Sequence, residues 1–168
     1  IHFVVEEACE GLAGVSASLI EMNANIQFYD GITTKDIQNV LVRSANDLIT
    51  LENPNYQYAA ARLLSYDVRK EAHGQYEYIP LLKLILRNIK LGVYDRTIVE
   101  KYHKSEIKKL NTWIKRDRDL DFTYAGLRQV VDKYLVQDRS TGELYETPQD
   151  MYMMIAATLF ANYPKKNL

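Results

Sequence analysis

The chain has 168 residues, of which 47% are hydrophobic and 26% are charged, so it can bury the core of one domain or of two small helical units. Its formal net charge of -1 excludes the strong basic field of a general nucleic-acid or membrane-surface binder. Cys9 is the single cysteine, which excludes an internal disulfide, a Cys-rich metal site and a redox thiol pair. Because nothing is adapted to oxidising conditions, we expect a cytoplasmic protein.

The first residues give no sign of a targeting segment. No apolar run approaches the roughly 20 residues of a membrane span, and there is no signal-peptide pattern. The chain begins at Ile1, inside an apolar pattern and without an initiator methionine. We therefore expect that sequence upstream of Ile1 is missing.

Two short helices are predicted at the start of the chain. The first covers residues 2–10 and is ended by Gly11, because glycine reaches the left-handed conformation at little cost. Ser18 and Glu21 have the capping-box spacing in the second helix. Apolar residues at steps of four and three predict that its buried face consists of Val15, Leu19, Met22, Ile26 and Tyr29.

Three longer helices are predicted next. The third helix starts near Thr33 or Thr34, with an acidic residue in its first turn, where it complements the helix dipole. Asn53-Pro54 is a start signal for the fourth helix, which runs to about His73 and is ended by Gly74. The fifth covers residues 81–89. The change of texture at residues 74–80 is the best candidate for a domain boundary.

The second half is predicted to contain shorter helices at residues 97–102, 105–116 and 124–133, with Asp95, Ser105 and Thr123 as caps. The alternating charges of residues 115–119 indicate either a solvated helix end or ion pairs that hold two helices together. Two apolar runs around a Gly-containing loop predict a β-hairpin over residues 134–145. Thr147-Pro148-Gln149-Asp150 then opens the last helix with a cap, a proline and an acidic residue.

Catalytic patterns are absent from the sequence. There is no glycine-rich phosphate loop and no GxSxG turn. The three histidines, His2, His73 and His103, lack the spacing of metal ligands, so no metal site is predicted. Residue patterns alone therefore indicate a mainly helical domain and no particular chemistry.

A more specific indication comes from motifs that follow one another along the chain. These are Ile26-Gln27-Phe28-Tyr29-Asp30-Gly31-Ile32, Tyr56-Gln57-Tyr58-Ala59-Ala60-Ala61-Arg62, Gly74-Gln75-Tyr76-Glu77, Arg116-Asp117-Arg118-Asp119-Leu120, Lys133-Tyr134-Leu135-Val136-Gln137 and Thr141-Gly142-Glu143-Leu144-Tyr145. Together they resemble the large subunit of class I ribonucleotide reductases, in order and over essentially the whole chain.

The resemblance implies a mainly α fold in two parts. Residues 1–75 would be an ATP-cone, a small helical bundle, here lacking the N-terminal strands that cap it in the family. Residues 76–168 would be a helical segment with one β-hairpin that leads into the catalytic barrel. The family's cone binds ATP as an activator or dATP as an inhibitor, with Mg²⁺ expected to accompany the nucleotide.

Candidate nucleotide-binding residues follow from the same resemblance. Thr34 falls where the family places a hydroxyl at a helix start, although a plain N-cap would explain it equally well. Lys70 falls where a lysine approaches the phosphates; the alternative is a solvated lysine at a helix C-terminus. Tyr66 occupies an aromatic position lining the cone, Gln38 replaces a histidine of many relatives, and Ile1 is expected at the pocket rim.

The family reduces ribonucleoside diphosphates to deoxyribonucleotides, an oxidoreductase reaction that requires a radical-generating small subunit. Its catalytic cysteines would lie beyond this chain, so no catalytic residue is assigned. The resemblance implies as partners the remainder of the large subunit, the small subunit and further copies bound through the cone, but neither nucleic acid nor membrane. One alternative is a non-catalytic scaffold that associates with a separate barrel-containing chain; another is an unrelated helical binding domain.

Overall fold

The structure is a computed structural model that describes residues 1–163; residues 164–168 of the predicted second domain lie outside the described part. The described residues form a mainly helical fold, which confirms the predicted class. Its α-helices are α1 (His2–Cys9), α2 (Ala17–Asn25), α3 (Thr34–Asn46), α4 (Tyr56–His73), α5 (Leu81–Lys90), α6 (Thr97–Lys101), α7 (Lys104–Trp113), α8 (Tyr124–Lys133) and α9 (Pro148–Phe160). A 3-10 helix covers Arg116–Asp121.

Local signals explain most helix ends. Gly74, at φ +71°, terminates α4 in the left-handed region that favours glycine. At the start of α9, the Thr147 hydroxyl and the Asp150 carboxylate complete the predicted capping box around a helix with proline in its first turn. Two predicted starts are shifted: Pro54 lies in the turn before α4, and His103 rather than Ser105 caps α7.

The buried face predicted for the second helix is wrong. Ser16, not Ser18, is the N-cap, and its side chain accepts from the Leu19 amide. The residues that α2 buries are Ile20 and Ala24, both 0% exposed, whereas Ile26 is 80% exposed. Leu19, Met22 and Tyr29 are exposed as well. The helix carries two apolar stripes, and the stripe that contains Ile20 and Ala24 is the buried one.

The chain forms two compact units, each built from two segments. The first consists of Ile1–Asp67 and Asp117–Asp132, and the second of Val68–Arg116 and the chain from Lys133 onward. A single boundary near residue 75 would separate α8 from the helices of its own compact unit. The division into 1–75 and 76–168 therefore stays a prediction about family domains and does not describe the compact units.

In the first unit, α2 packs against both α1 and α3. The largest fully buried side chains include Ile20, Leu41, Leu63 and Leu127, which come from four different helices. Arg62, on α4, donates through Nη1 to the Glu10 carbonyl at 2.7 Å and to the Ala8 carbonyl at 3.3 Å. These bonds satisfy carbonyls at the end of α1, so the C-terminus of α1 is attached to α4.

In the second unit, α5 and α7 pack together over a shared apolar core. Its buried members are Ile79, Leu81, Leu84, Ile85, Ile98, Tyr102, Ile107, Leu110, Ala157 and Ala161. The Asn111 side chain accepts from the Leu81 amide at 2.8 Å. Pro80, the N-cap of α5, makes no side-chain cap bond, so α7 supplies the missing acceptor.

The predicted β-hairpin is present as a short antiparallel pairing. Gln137 and Leu144 form an isolated antiparallel bridge. It is flanked by backbone bonds from the Asp138 amide to the Glu143 carbonyl at 2.9 Å and from the Tyr145 amide to the Val136 carbonyl at 3.0 Å. The pairing is too short to form a regular sheet, and Glu146 follows it, two residues before the start of α9.

Candidate functional site

The N-terminus of α3, in the first unit, carries Thr34, whose hydroxyl is predicted to bind the nucleotide. Thr33, in extended conformation, is the N-cap: its Oγ1 accepts from the Asp36 amide at 3.1 Å and donates to Asp36 Oδ2 at 2.7 Å. Thr34 is the first helical residue and is exposed. Its hydroxyl is therefore not the cap, and within the described residues it makes no side-chain hydrogen bond.

Gln38 lies one turn further along α3, on the same face as Thr34. Its Nε2 donates to the Leu63 carbonyl, in the middle of α4, at 2.7 Å. The carboxamide is therefore oriented by α4, and its oxygen is left as an acceptor. Since glutamine does not titrate, the orientation of this group is independent of pH near neutrality.

The remaining predicted nucleotide-binding residues are Tyr66, Lys70 and Ile1. Tyr66 follows Leu63 by one turn on α4 and is 6% exposed, and its predicted role of lining the cone stays a prediction. Lys70 is exposed in the last turn of α4 and belongs to the second compact unit. Ile1 caps α1 through its backbone and is 55% exposed. The structure thus joins Gln38 to α4 directly, and no hydrogen bond in the described part links Ile1 to α3 or α4.

A buried polar cluster at the start of α9 joins the predicted capping box to two side chains, His73 and Arg116, that the sequence did not place there. Asp150 is fully buried, and its Oδ1 lies 2.6 Å from Arg116 Nη2 while its Oδ2 lies 3.1 Å from His73 Nε2. The Thr147 hydroxyl also donates to Oδ2, at 2.7 Å. His73 Nδ1 accepts from the Ile79 amide at 3.2 Å, which leaves Nε2 as the ring nitrogen that faces the carboxylate.

The electrostatics of this cluster favour an ionised carboxylate. Burial works to raise the pKa of Asp150, but the contacts with His73 and Arg116 outweigh it and hold the pKa well below its ordinary range. Arg116 also lies over the ring of Tyr78, with 4.4 Å between the guanidinium carbon and the ring centroid. Of the two interpretations of the charged run at residues 115–119, Arg116 thus supports ion pairing between helices.

A second buried carboxylate precedes the cluster. Glu146 is 2% exposed; its Oε1 accepts from the Val136 amide at 2.9 Å, and its Oε2 accepts from the Tyr94 hydroxyl. Burial raises the pKa of Glu146, and burial together with the neighbouring carboxylate raises the pKa of Tyr94. Glu146 therefore holds the Val136 segment of the short hairpin, and Tyr94 holds Glu146 in turn. These contacts explain both buried groups without a catalytic role.

Chemistry beyond these contacts is limited in the described residues. Burial raises the pKa of the Cys9 thiol to about 11, so the thiol stays protonated and is a poor nucleophile. Among residues 1–163, no group of three or more His, Cys, Asp or Glu side chains could hold a metal ion. A search of the same residues finds no helix with the length and apolar character needed to cross a membrane.

Comparison with known proteins identifies the class. The family described as ribonucleotide reductase, all-alpha domain, matches residues 120–167. Over 166 residues, 99% of this chain, the sequence is 46% identical to ribonucleoside-diphosphate reductase 1 subunit alpha of Escherichia coli and 40% identical to the corresponding alpha subunit of Haemophilus influenzae. The alpha subunit of Enterobacteria phage T4 is 41% identical over 92% of the chain. Over nearly its whole length, the chain is therefore similar to ribonucleotide reductase large (alpha) subunits.

The matched region covers nearly all of this chain but only a small part of each relative. The chain spans about a fifth of the length of the curated relatives, 22% for the two bacterial proteins and 21% for the phage protein. Because two of these matches cover 99% of this chain, the predicted resemblance along essentially the whole chain is confirmed.

Proposed function

We propose that this chain is the regulatory region of a ribonucleoside-diphosphate reductase large subunit, and that it binds ATP or dATP to control overall activity. In the whole protein, a radical-generating small subunit would support reduction of ribonucleotides to deoxyribonucleotides. This region would supply no catalytic group. Effector binding would act by favouring one assembly of large subunits over another, since a ligand shifts an equilibrium only through different affinities for its states.

The observation that carries the proposal is that Thr33, and not Thr34, caps α3. Thr33 caps α3, which leaves the Thr34 hydroxyl available at an exposed helix N-terminus, the end that favours anionic ligands. Gln38 supports the same interpretation, because its amide is bonded to α4 and its oxygen can still accept a hydrogen bond. Lys70 would supply a mobile positive charge for phosphate, with Mg²⁺ accompanying the nucleotide.

The test is calorimetric titration of the 168-residue chain with dATP, followed by displacement with ATP. Lys70→Ala should weaken binding about tenfold or more, because a hydrogen bond between charged groups contributes about 1.5–3 kcal/mol. Lys133→Ala is the matched control, since Lys133 is also an exposed lysine in the last turn of a helix. Thr34→Ala should weaken dATP binding with little effect on folding.

Three results would contradict the proposal. One is equal weakening by Lys70→Ala and Lys133→Ala, which would indicate a general charge effect. Another is the absence of saturable dATP binding by a chain whose helical circular dichroism shows that it is folded. Binding of dGTP or dTTP as tightly as dATP would also contradict recognition of adenine.

A second role is favoured by the exposed face of α9. Ile155, Leu159 and Phe160 are 49%, 66% and 52% exposed, an unusual amount of apolar surface for one helix. We propose that this face contacts the remainder of the large subunit, whether in the same polypeptide or in a separate barrel-containing chain. Co-purification with such a chain, lost on Leu159→Glu and retained on Leu51→Glu, at a leucine that is 96% exposed and lies outside α9, would support this role.

A further inference from the structure

A groove in the second unit, separate from the proposed nucleotide site, has an aliphatic floor and a cationic rim. It encloses about 750 Å³ between α5 and α7. Pro80, Leu82 and Leu86 contribute the apolar lining. The rim of the groove is basic, with the side chains of Lys83, Arg87, Lys90 and Lys108.

The rim follows from the helix register. Lys83, Arg87 and Lys90 are spaced by four and three residues, so they lie along one face of α5. The opposite face, with Leu81, Leu84 and Ile85, is buried at 0–1% exposure in the core of the second unit. Leu86 remains 46% exposed beside the basic face. The helix therefore buries its main apolar stripe and presents a narrow apolar strip bordered by positive charge.

No carboxylate of the described residues neutralises the three groove lysines. Lys83, Lys90 and Lys108 are exposed, and none of them makes an ion pair there. Arg87 donates to a neutral partner, the Tyr145 carbonyl, at 3.1 Å. The groove thus holds concentrated positive charge in a chain whose net charge is only -1.

Three acidic residues that follow α5 in the sequence are engaged away from the groove. Asp95 accepts from the Thr97 amide at 2.6 Å, Glu100 pairs with Arg96 at 3.9 Å, and Glu106 accepts from the His103 amide at 2.7 Å. The first and third of these carboxylates bind helix N-termini. These three carboxylates therefore do not offset the positive charge of the groove lysines.

We propose that this groove docks an acidic amphipathic helical segment of a partner protein. Apolar residues of the segment would cover Leu82 and Leu86, and flanking glutamates or aspartates would meet the lysine rim, which is how helices bind in grooves. Because α5 has ten residues and rises about 1.5 Å per residue, the groove accommodates about 15 Å, or two to three turns of helix.

Other anionic partners fit less well. Single-stranded nucleic acid binds through aromatic stacking platforms, and among residues 1–163 no aromatic side chain lines this groove. Membrane-surface helices insert a broad apolar face, whereas that face of α5 is buried in the core. Charge together with an aliphatic strip favours a peptide that has both features.

The experiment measures the anisotropy of a fluorescein-labelled 12-residue peptide with leucines at helical spacing and glutamates between them, titrated with the 168-residue chain. Binding should be saturable and should weaken about tenfold between 50 and 300 mM NaCl, because salt screens the rim charges. The triple variant Lys83→Glu, Lys90→Glu, Lys108→Glu should bind the peptide at least about tenfold more weakly than the unmodified chain does.

Two matched controls locate the site. Arg43→Glu, Lys115→Glu, Arg118→Glu reverses as many exposed cations outside the groove and should bind within about twofold of the unmodified chain. Leu86→Ser should weaken binding several-fold without a charge change. Leu91→Ser, at a similarly exposed leucine outside the groove, should not.

Several outcomes would overturn the proposal. They are no saturable peptide binding, equal losses in the two charge-reversal variants, and equal losses in the two leucine variants. Tighter binding of a 20-nucleotide single strand or of vesicles containing phosphatidylserine, abolished by the same groove variant, would assign the surface to that ligand instead. Circular dichroism of each variant confirms that a loss does not reflect unfolding.

Discussion

Replacing Asp150 with alanine removes the carboxylate on which the buried cluster of the second unit depends. Arg116 and His73 both contact this carboxylate, at 2.6 Å and 3.1 Å, and Thr147 donates to it from the helix cap. Arg116 would remain largely buried without its counter-ion, since its side chain is only 19% exposed. We therefore expect a loss of stability larger than that of the capping bond alone.

The magnitude follows from the cost of breaking a buried ion pair from one side. Removal of one partner costs about 3–5 kcal/mol, because the other charge stays buried and uncompensated. With a urea slope of about 2 kcal/mol/M, the unfolding midpoint should fall by about 1.5–2.5 M. An exposed pair costs much less, about 0.3–0.5 kcal/mol. Glu100→Ala, which breaks the exposed pair with Arg96 in the same unit, provides that comparison.

Trp113 makes the assay specific to the second unit. It is the only tryptophan, and it lies at the end of α7 in the same compact unit as Asp150. Urea titrations followed by its fluorescence should give the large midpoint shift for Asp150→Ala and almost none for Glu100→Ala. Similar shifts for the two variants would refute the argument that the buried cluster stabilises this unit.

The pH dependence provides an independent check. The pKa of Asp150 is depressed in the folded state, so its contribution to stability is present above the unfolded-state pKa of about 3.9 and is lost as pH falls toward the folded value. The stability difference between the natural chain and Asp150→Ala should therefore be constant near neutrality and shrink below about pH 4. A difference that grew in acid would contradict the sign of the shift.

Two further predictions test local assignments. Thr33→Ala should cost about 0.5–2 kcal/mol by removing the cap of α3, whereas Thr34→Ala should cost under about 0.5 kcal/mol; thermal unfolding followed by circular dichroism distinguishes them, and the reverse order would assign the cap to Thr34. Ile20→Ala should cost about 2–5 kcal/mol because Ile20 is fully buried, whereas Ile26→Ala should change the free energy of urea unfolding by under about 0.5 kcal/mol. Equal costs would mean that the buried face of α2 is assigned incorrectly.

The comparison of α2 with α8 shows what periodicity specifies. The predicted span of residues 124–133 agrees with α8, because Thr123 supplies a clear cap and a single apolar stripe faces inward. In α2, both Leu19 and Ile20 begin a plausible stripe, and a period of 3.6 residues fits either. Which stripe is buried depends on α1 and α3, which are neighbours in space, so the sequence of α2 alone could not decide it.

The candidate site shows the same limit. Its helix start near Thr33 or Thr34 could be predicted from residue type, but which hydroxyl caps the helix depends on backbone geometry. The bond from Gln38 to the Leu63 carbonyl joins positions that are far apart in sequence, and no local pattern marks such a contact. The cluster around Asp150 was partly visible as a capping box, whereas His73 and Arg116 reach it through tertiary folding.

The cap that Asn111 provides for α5 bears on how the second unit folds. Pro80 makes no side-chain cap bond, so the Leu81 amide depends on an acceptor thirty residues later in the chain. A nascent α5 would therefore fray at its first turn until α7 docks, and the two helices would gain their final order in one cooperative step. In hydrogen exchange, the Leu81 amide would thus report opening of the whole helix pair rather than local fraying.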